Sequence, residues 1–275
     1  DLQHHTTPAD GRSTPEALVA AAATAGCPPI AVPDHDTTAA VDRVAAAARD
    51  AGVAFGAGIE MTAVDRAKDI HILGYGIDTA DAELAAFLAE QRVLRRARDV
   101  AIAERLSAAG APIDVDALLT SAASTGRALG RPAIAAALIA AGHVPTVNDA
   151  FDRYLAEGRP GFVVRDGAAP AVIAERILRA GGVVSIAHPG KYGRDDLIAP
   201  LVDAGMRAIE VFHPDHDRAD VERYQAIAAS FGPGMTGGSD YHGPGTGRAS
   251  APGRIGPPPE QPDALMALAA ARGRA

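Results

Sequence analysis

The sequence contains no tryptophan, a single cysteine and few aromatic residues: Phe and Tyr together make up 4% of its 275 positions. A core without large rings has to be built from Ala, Val, Leu and Ile. The lone Cys27 excludes an internal disulfide and a Cys-rich zinc site, and it reads as a buried turn residue before two prolines. No apolar run approaches the ~20 residues that cross a bilayer. No membrane association, no signal peptide and a cytoplasmic location are therefore expected. Basic residues are outnumbered, 26 Lys and Arg against 34 Asp and Glu, for a net charge of −8. That balance argues against a protein that grips long duplex nucleic acid. It leaves small anionic substrates open, because bound cations reverse the local field.

What is present is 48% hydrophobic content arranged as short apolar runs between helical patterns. Strands are expected over residues 1–5, 29–32, 52–59, 70–75, 182–187, 206–212 and 234–236. Helices are expected over 15–25, 38–51, 82–109, 170–180, 195–203 and 217–231. Thr14 before Pro15 is an N-cap followed by proline at the first helical position, and Gly26, Gly52, Gly110 and Gly205 stand where helices should stop. Repeated βα alternation favours parallel strands covered by helices, an α/β fold resembling an incomplete TIM barrel. The rhythm breaks over 111–165, where short helices at 114–119, 132–141 and 147–157 suggest an inserted helical subdomain. The barrel domain would then comprise 1–110 and 166–275. A Gly- and Pro-rich stretch over 243–262 reads as a loop before a last helix at 263–272.

Nearly every expected strand is followed at once by an imidazole or a carboxylate. His5 and Asp10 follow the first; Asp34, His35 and Asp36 the second. Glu60 ends the third, His71 lies in the fourth and His188 follows the fifth. His213 follows the sixth, and Asp240 with His242 the seventh. In a parallel barrel the strand C-termini share one face, so these side chains converge. One histidine at a strand end is ordinarily a hydrogen-bonding residue, and an Asp there is often a helix N-cap, as Asp36 would be for the helix at 38. A whole series of them, on otherwise apolar strands, points to a metal site.

The runs DLQHHTTPADG (1–11), PDHDT (33–37), GIE (58–60), HILGYG (71–76), AHPG (187–190) and GSDYH (238–242) resemble, in order, the motifs of the polymerase and histidinol phosphatase (PHP) family. LGRP (129–132) and AFDRYL (150–155) resemble its small stand-alone phosphoesterases, which act on 3′,5′-bisphosphonucleotides and short oligonucleotides. The resemblance implies a distorted seven-stranded (β/α) TIM-like barrel with two to three divalent ions, Mn, Fe or Zn. It implies the ligands Gln3, His5, Asp10, His35, Glu60, His71, His188, Asp240 and His242. Glu60 would bridge two ions, one also held by His5 and Asp240, the other by His71 and His188. Asp10, His35 and His242 would hold a third.

Two positions depart from the family pattern. Gln3 stands where the family has His, and His4 cannot replace it because neighbouring strand residues face opposite ways. An amide oxygen suits a hard cation, so the first site would be weakened or favour Mn or Mg. Ala133 stands where a His usually follows Gly-Arg-Pro, which bears on specificity.

The implied chemistry is in-line attack on phosphorus by a metal-bridging hydroxide, with Glu60 and Asp240 at the reacting centre. His213 is a candidate acid for the leaving group. Arg131 is a candidate for a second phosphate, Lys191 with Tyr192 for lining the pocket, and Asp34 or Asp36 for orienting the His35 ring. Arg92, Arg95, Arg96 and Arg98 read as a solvated helix face, and His143 as structural. The expected activity is removal of the 3′-phosphate from a 3′,5′-bisphosphonucleotide, or stepwise cleavage of short oligonucleotides from the 5′ end. Histidinol-phosphate and cyclic-phosphate hydrolysis are alternatives within the hydrolases. A catalytically weakened metal-binding regulator, motivated by Gln3, is the alternative outside them.

Overall fold

Helix α1 (Pro15–Thr24) starts where the sequence places it, with the Thr14 side chain accepting the Ala17 N–H and Pro15 in the first turn. The structure is a computed structural model that describes residues 1–27, 29–125, 129–232, 234–246, 251–258, 260–262 and 265. The helix expected at 263–272 falls, Leu265 aside, outside them. Strand β1 (Ile30–Val32) follows, then α2 (Val41–Ala51), closed by Gly52 at φ 67°. Strand β1 pairs in parallel with β2 (Phe55–Asp65).

Here the expected parallel alternation fails. Strand β2 runs on to Asp65 and turns directly into β3 (Lys68–Tyr75), antiparallel to it. The turn residues Arg66 and Ala67 take φ of 48° and 65°. A two-residue turn of this hand is normally marked by Asn-Gly or Asp-Gly, and this one carries neither. Helix α3 (Ala82–Ala108) leaves β3. Beyond the helical segment, α7 (Pro170–Arg179) leads into β4 (Val183–Ile186), which is antiparallel to β3. Helices α8 (Ile198–Asp203) and α9 (Arg218–Phe231) then connect β5 (Ala208–Phe212) and β6 (Gly234–Gly237) in parallel.

The result is a curled six-stranded sheet in the order β1-β2-β3-β4-β5-β6. The seventh strand, expected over 1–5, is only an isolated bridge between His4 and Tyr241. Its backbone nevertheless joins the two edges of the curl. Leu2 and His5 donate to Gly237 (3.0 Å) and Tyr241 (2.9 Å), within and beyond the β6 end, while Ala31 of β1 donates to Asp1 (3.4 Å). Those contacts are too sparse to make a ladder.

Period-2 alternation sorts the strands into two faces. Ile59, Met61, Ile70, Ile72, Ile186, Ile209 and Val211 pack with Ile173 and Ile177 of α7 in one core. Leu73, Tyr75, Val183 and Ala208 turn the other way and pack with Leu2, Ala31 and Ala187 inside the curl. The same inner face carries Glu60, His71 and Glu210, which is why the polar site sits over this apolar plug.

The chain divides into two compact units, Asp1–Leu88 with Ala168–Ala275, and Ala89–Gly167. The second holds α4 (Val115–Thr125), α5 (Arg131–Ala140) and α6 (Val147–Ala150), the last continued by a π-helical turn, Phe151–Leu155. Its core gathers Leu138 and Leu155 around Ile102 and Leu106 of α3.

Candidate metal centre

Glu60 is the hub, fully buried with each carboxylate oxygen facing a different set of partners. Its Oε1 lies 2.7 Å from His71 Nδ1 and 3.3 Å from His188 Nε2. Its Oε2 lies 3.2 Å from His5 Nε2, 3.9 Å from His35 Nε2 and accepts from the Gln3 amide at 3.2 Å. His5 Nε2 is also 3.2 Å from Asp240 Oδ1. Asp10 Oδ2 lies 3.3 Å from His242 Nε2 and 3.9 Å from His35 Nε2, with Oδ1 3.7 Å from His5 Nδ1. All nine residues that the family resemblance implies as ligands are therefore gathered at one end of the curl.

The electrostatics suit cations. Burial pushes Glu60 and Asp10 up, but the surrounding imidazoles outweigh it and hold both carboxyls well below their usual range. Burial drives His35 down to about 3 and lowers His188 and His242, leaving those rings neutral. His5 is the exception: burial lowers it, but Glu60, Asp10 and Asp34 together raise it. His242 Nδ1 donates to the Asp240 carbonyl at 2.7 Å, which points its Nε2 lone pair at the cluster.

Among the described residues, several buried polar atoms here have no hydrogen-bond partner: Gln3 Oε1, both His5 nitrogens, Asp10 Oδ1 and His35 Nδ1. Native interiors satisfy nearly all such atoms. Orphaned lone pairs around ionised carboxylates are what divalent cations complete. His5, Asp10, His35 and His242 form one donor group whose atoms lie within 4.8 Å of one another, and His35, Glu60 and His71 form another. The residues present thus fit metal ions.

The backbone is bent to make this arrangement. Asp36, His188 and Asp240 hold φ of 51°, 27° and 49°, left-handed conformations that cost ~1–3 kcal/mol each. The loops approach so closely that a Cβ on Gly238 would stand 2.4 Å from Gln3 N. Buried acids secure the segments. Asp34 accepts the Thr6 N–H at 2.6 Å and also its hydroxyl, next to His5. Asp36 accepts the Thr62 N–H at 2.8 Å and its hydroxyl at 3.1 Å, two residues beyond Glu60. Neither acid orients the His35 ring as expected, and Asp36 is no cap: α2 starts later, after Ala40, without a side-chain cap.

Sequence reasoning passed over two supports. Glu210 accepts the His188 N–H at 2.8 Å. His216 donates from Nδ1 to the Val211 carbonyl (2.8 Å) and accepts the Gly190 N–H at Nε2 (3.1 Å). A glutamate inside the apolar run of β5 was the available signal for the first.

His213 is buried with its ring proton fixed. Nδ1 accepts the Asp215 N–H at 3.0 Å, so the proton sits on Nε2, 3.4 Å from Asp240 Oδ2. Tyr192 packs against His188 and His71, its hydroxyl accepting the His71 N–H at 3.3 Å. Lys191 is partly exposed, 3.8 Å from Asp215. Arg131 belongs to the other unit, at the start of α5 with its guanidinium 6.0 Å from the Phe151 ring centre. Arg92 and Arg96 are exposed, but Arg95 and Arg98 are not part of a solvated face: they donate to the Leu129 (2.9 Å) and Val163 (3.0 Å) carbonyls. His143 Nε2 lies 2.8 Å from the Pro112 carbonyl, a structural contact within that unit.

Fold and site together define a metal-dependent phosphoesterase. No family model matches the chain. Individual proteins do. It is 33% identical over 252 residues to a 3′,5′-nucleoside bisphosphate phosphatase of Chromobacterium violaceum, covering 90% of this chain and 88% of that one. It is 35% identical over 250 residues to a phosphoribosyl 1,2-cyclic phosphate 1,2-diphosphodiesterase of Eggerthella lenta (88% and 94% covered). It is 34% identical over 251 residues to the 5′-3′ exoribonuclease Rnm of Salmonella typhimurium (89% and 85%). Among solved structures, a Bifidobacterium adolescentis protein assigned as a metal-dependent phosphoesterase superposes with a TM-score of 0.88 at 30% identity, covering 98% of this chain and 95% of that one. The chain belongs to the PHP family of metal-dependent phosphoesterases. No described helix is long and apolar enough to cross a membrane.

Proposed function

We propose that the protein removes the 3′-phosphate of a 3′,5′-bisphosphonucleotide, and that it trims short oligonucleotides from the 5′ end by the same chemistry. The observation that carries this reading is the two-sided engagement of Glu60, Oε1 with His71 and His188, Oε2 with His5. That is the arrangement a carboxylate needs to bridge two ions. In the proposal His5 and Asp240 complete one site, His71 and His188 the other, and Asp10, His35 and His242 hold a third ion. Gln3 contributes its orphaned Oε1 to the first.

Two to three divalent ions, Mn, Fe or Zn with Mg as a further candidate, would neutralise the phosphoryl oxygens and bring the pKa of a bound water toward neutrality. The chain's own residues do the rest. Glu60 and Asp240 keep their negative charge at the reacting centre. His213 presents the Nε2 proton to the leaving oxygen, while Asp215 N–H fixes its tautomer. Lys191, one turn beyond His188, offers a cation at the exposed edge. Arg131, on the strength of its Gly-Arg-Pro motif alone, is the candidate for the second phosphate.

The 35% identity to a cyclic-phosphate diphosphodiesterase favours one second reading, hydrolysis of a ribose cyclic phosphate. The test is hydrolysis by the Mn-loaded protein, with products separated by chromatography, of adenosine 3′,5′-bisphosphate (to adenosine 5′-monophosphate and phosphate), a 5′-phosphorylated trinucleotide (to a nucleoside 5′-monophosphate and a dinucleotide), a ribose 1,2-cyclic phosphate (to a ring-opened monoester or free phosphate) and histidinol phosphate (to histidinol and phosphate). Highest kcat/KM on the bisphosphate, with slower trimming of the trinucleotide, is expected. Preference for the cyclic ester or histidinol phosphate rejects the substrate. Bound metal without turnover on any of them, in Mn, Zn and Mg alike, rejects catalysis in favour of a regulatory metal-binding role.

A further inference from the structure

A second convergence lies on the opposite side of the N-terminal segment. His4 faces away from Gln3 and His5, as neighbours on extended backbone must. Its fully buried ring meets Asp1 and Cys27, both also buried. One donor atom from each of the three lies within 4.8 Å of the others. His4 Nδ1 stands 2.9 Å from the Ala31 carbonyl. A carbonyl only accepts, so the ring proton is on Nδ1 and Nε2 presents a lone pair. That lone pair sits 3.2 Å from Asp1 Oδ2 and makes no hydrogen bond.

Two facing lone pairs in a dry interior are repulsive. The main centre carries the same signature: His5 Nε2 is 3.2 Å from Glu60 Oε2 and 3.2 Å from Asp240 Oδ1, again with no hydrogen bond. Donors bound at about 2.0–2.2 Å to one tetrahedral ion stand roughly 3.3 Å apart. Spacing of this kind, off the hydrogen-bond line, is what a shared cation produces.

We propose that Asp1 Oδ2, His4 Nε2 and Cys27 Sγ form a separate metal site of the zinc class. A carboxylate, an imidazole and a thiolate are zinc donors, and three of them leave one tetrahedral position to water. The Nδ1–H bond to Ala31 is the orienting contact that metal-bound histidines commonly make. Asp1 is held in place by the Ser239 N–H at Oδ1 (2.9 Å) and the Gly253 N–H at Oδ2 (2.8 Å). Gly253, at φ 80°, leaves room beside the sulfur: a Cβ there would stand 3.2 Å from Cys27 Sγ and 2.8 Å from its Cβ. Binding releases the thiol proton to solvent and replaces the S–H bond by a metal–sulfur bond. The ion would clip residues 1–4 to the α1–β1 turn, at the seam where residues 1–5 join the two sheet edges.

Cobalt separates this site from the main centre, whose candidate ligands include no sulfur. The protein is stripped with a chelator and titrated with Co(II) alone. A thiolate-to-cobalt charge-transfer band in the near ultraviolet is expected, saturating at one sulfur-bound ion per chain, together with at least ~10-fold slower alkylation of Cys27 in the Zn(II)-loaded protein. Both readings use the unaltered chain, so neither depends on a variant that folds. His4→Ala should abolish the band. Absence of the band at saturating Co(II), an alkylation rate indifferent to zinc, or a band that survives unchanged in His4→Ala overturns the proposal.

Discussion

Glu210 Oε2 accepts the backbone N–H of His188 at 2.8 Å, and His188 holds a φ of 27°. The buried acid thus props a candidate ligand in a conformation it would not adopt unaided. Supporting partners of metal ligands are typically worth ~10–100-fold in affinity. Glu210→Met should therefore weaken metal binding by about that factor in a competition titration, while Glu210→Gln, which keeps an acceptor, stays within a few-fold of the parent. Equal effects of the two substitutions would show that the hydrogen bond is not what matters.

Gln3 is the next point of leverage. Its amide donates to Glu60 and its Oε1 is left without a partner. An imidazole is a stronger donor for Zn or Fe than an amide oxygen. Gln3→His is expected to raise the metal retained after gel filtration and to raise turnover with it. If metal content and rate both stay unchanged, Gln3 is not the weak position.

For His213, the fixed Nε2 proton makes a selective prediction. General acids contribute about 10²–10⁴-fold, and the contribution shrinks as the leaving group becomes more acidic. His213→Gln should lower kcat by roughly 100-fold or more on a nucleoside phosphate, far less on an aryl phosphate such as p-nitrophenyl phosphate, and leave metal content intact. A uniform loss across both esters would assign the residue a structural role.

Asp99, buried in the helical unit among Arg95, Arg98 and Arg165, carries a pH dependence of its own. Burial raises its pKa from 3.8 to about 6, with the three arginines pulling the other way. A carboxyl whose folded pKa lies above its unfolded value favours folding while protonated, below about pH 4. That contribution is lost as pH rises to about 6, to the extent of ~3 kcal/mol at most. Asp99→Asn should flatten the stability profile between those limits in denaturant titrations. Parallel profiles for parent and variant would count against the shift.

Much of the site was legible because imidazoles and carboxylates end or follow nearly every apolar run, which lined them up at strand ends. That convergence and the helix starts at Pro15 and Pro170 rest on local signals, whereas the set of nine ligand positions, Gln3 among them, comes with the family resemblance. What the sequence concealed was pairing. The β2–β3 turn uses Arg66 and Ala67 in a conformation normally marked by glycine, so the hairpin left no trace. Residues 1–5 read as a strand, yet alternate their hydrogen bonds between two edges. Asp34 and Asp36 looked like partners of His35 or helix caps because they adjoin both; only tertiary contact turns them to Thr6 and Thr62.

The hairpin also sets an order of assembly. Glu60 and His71 face each other across one local turn, only 11 residues apart in the chain. His5 reaches the same carboxylate across 55 residues, and Asp240 meets His5 from 235 residues further on. Loop closure makes near contacts fast and distant ones slow. A nascent chain would hold the Glu60–His71 pair of the Oε1 half before His188 and Asp240 have been made. Pulse-labelled hydrogen exchange during refolding should then protect Met61–Ile72 amide pairs ahead of those joining Leu2 and His5 to Gly237 and Tyr241. Metal captured early at that half would act as a template for closing the curl.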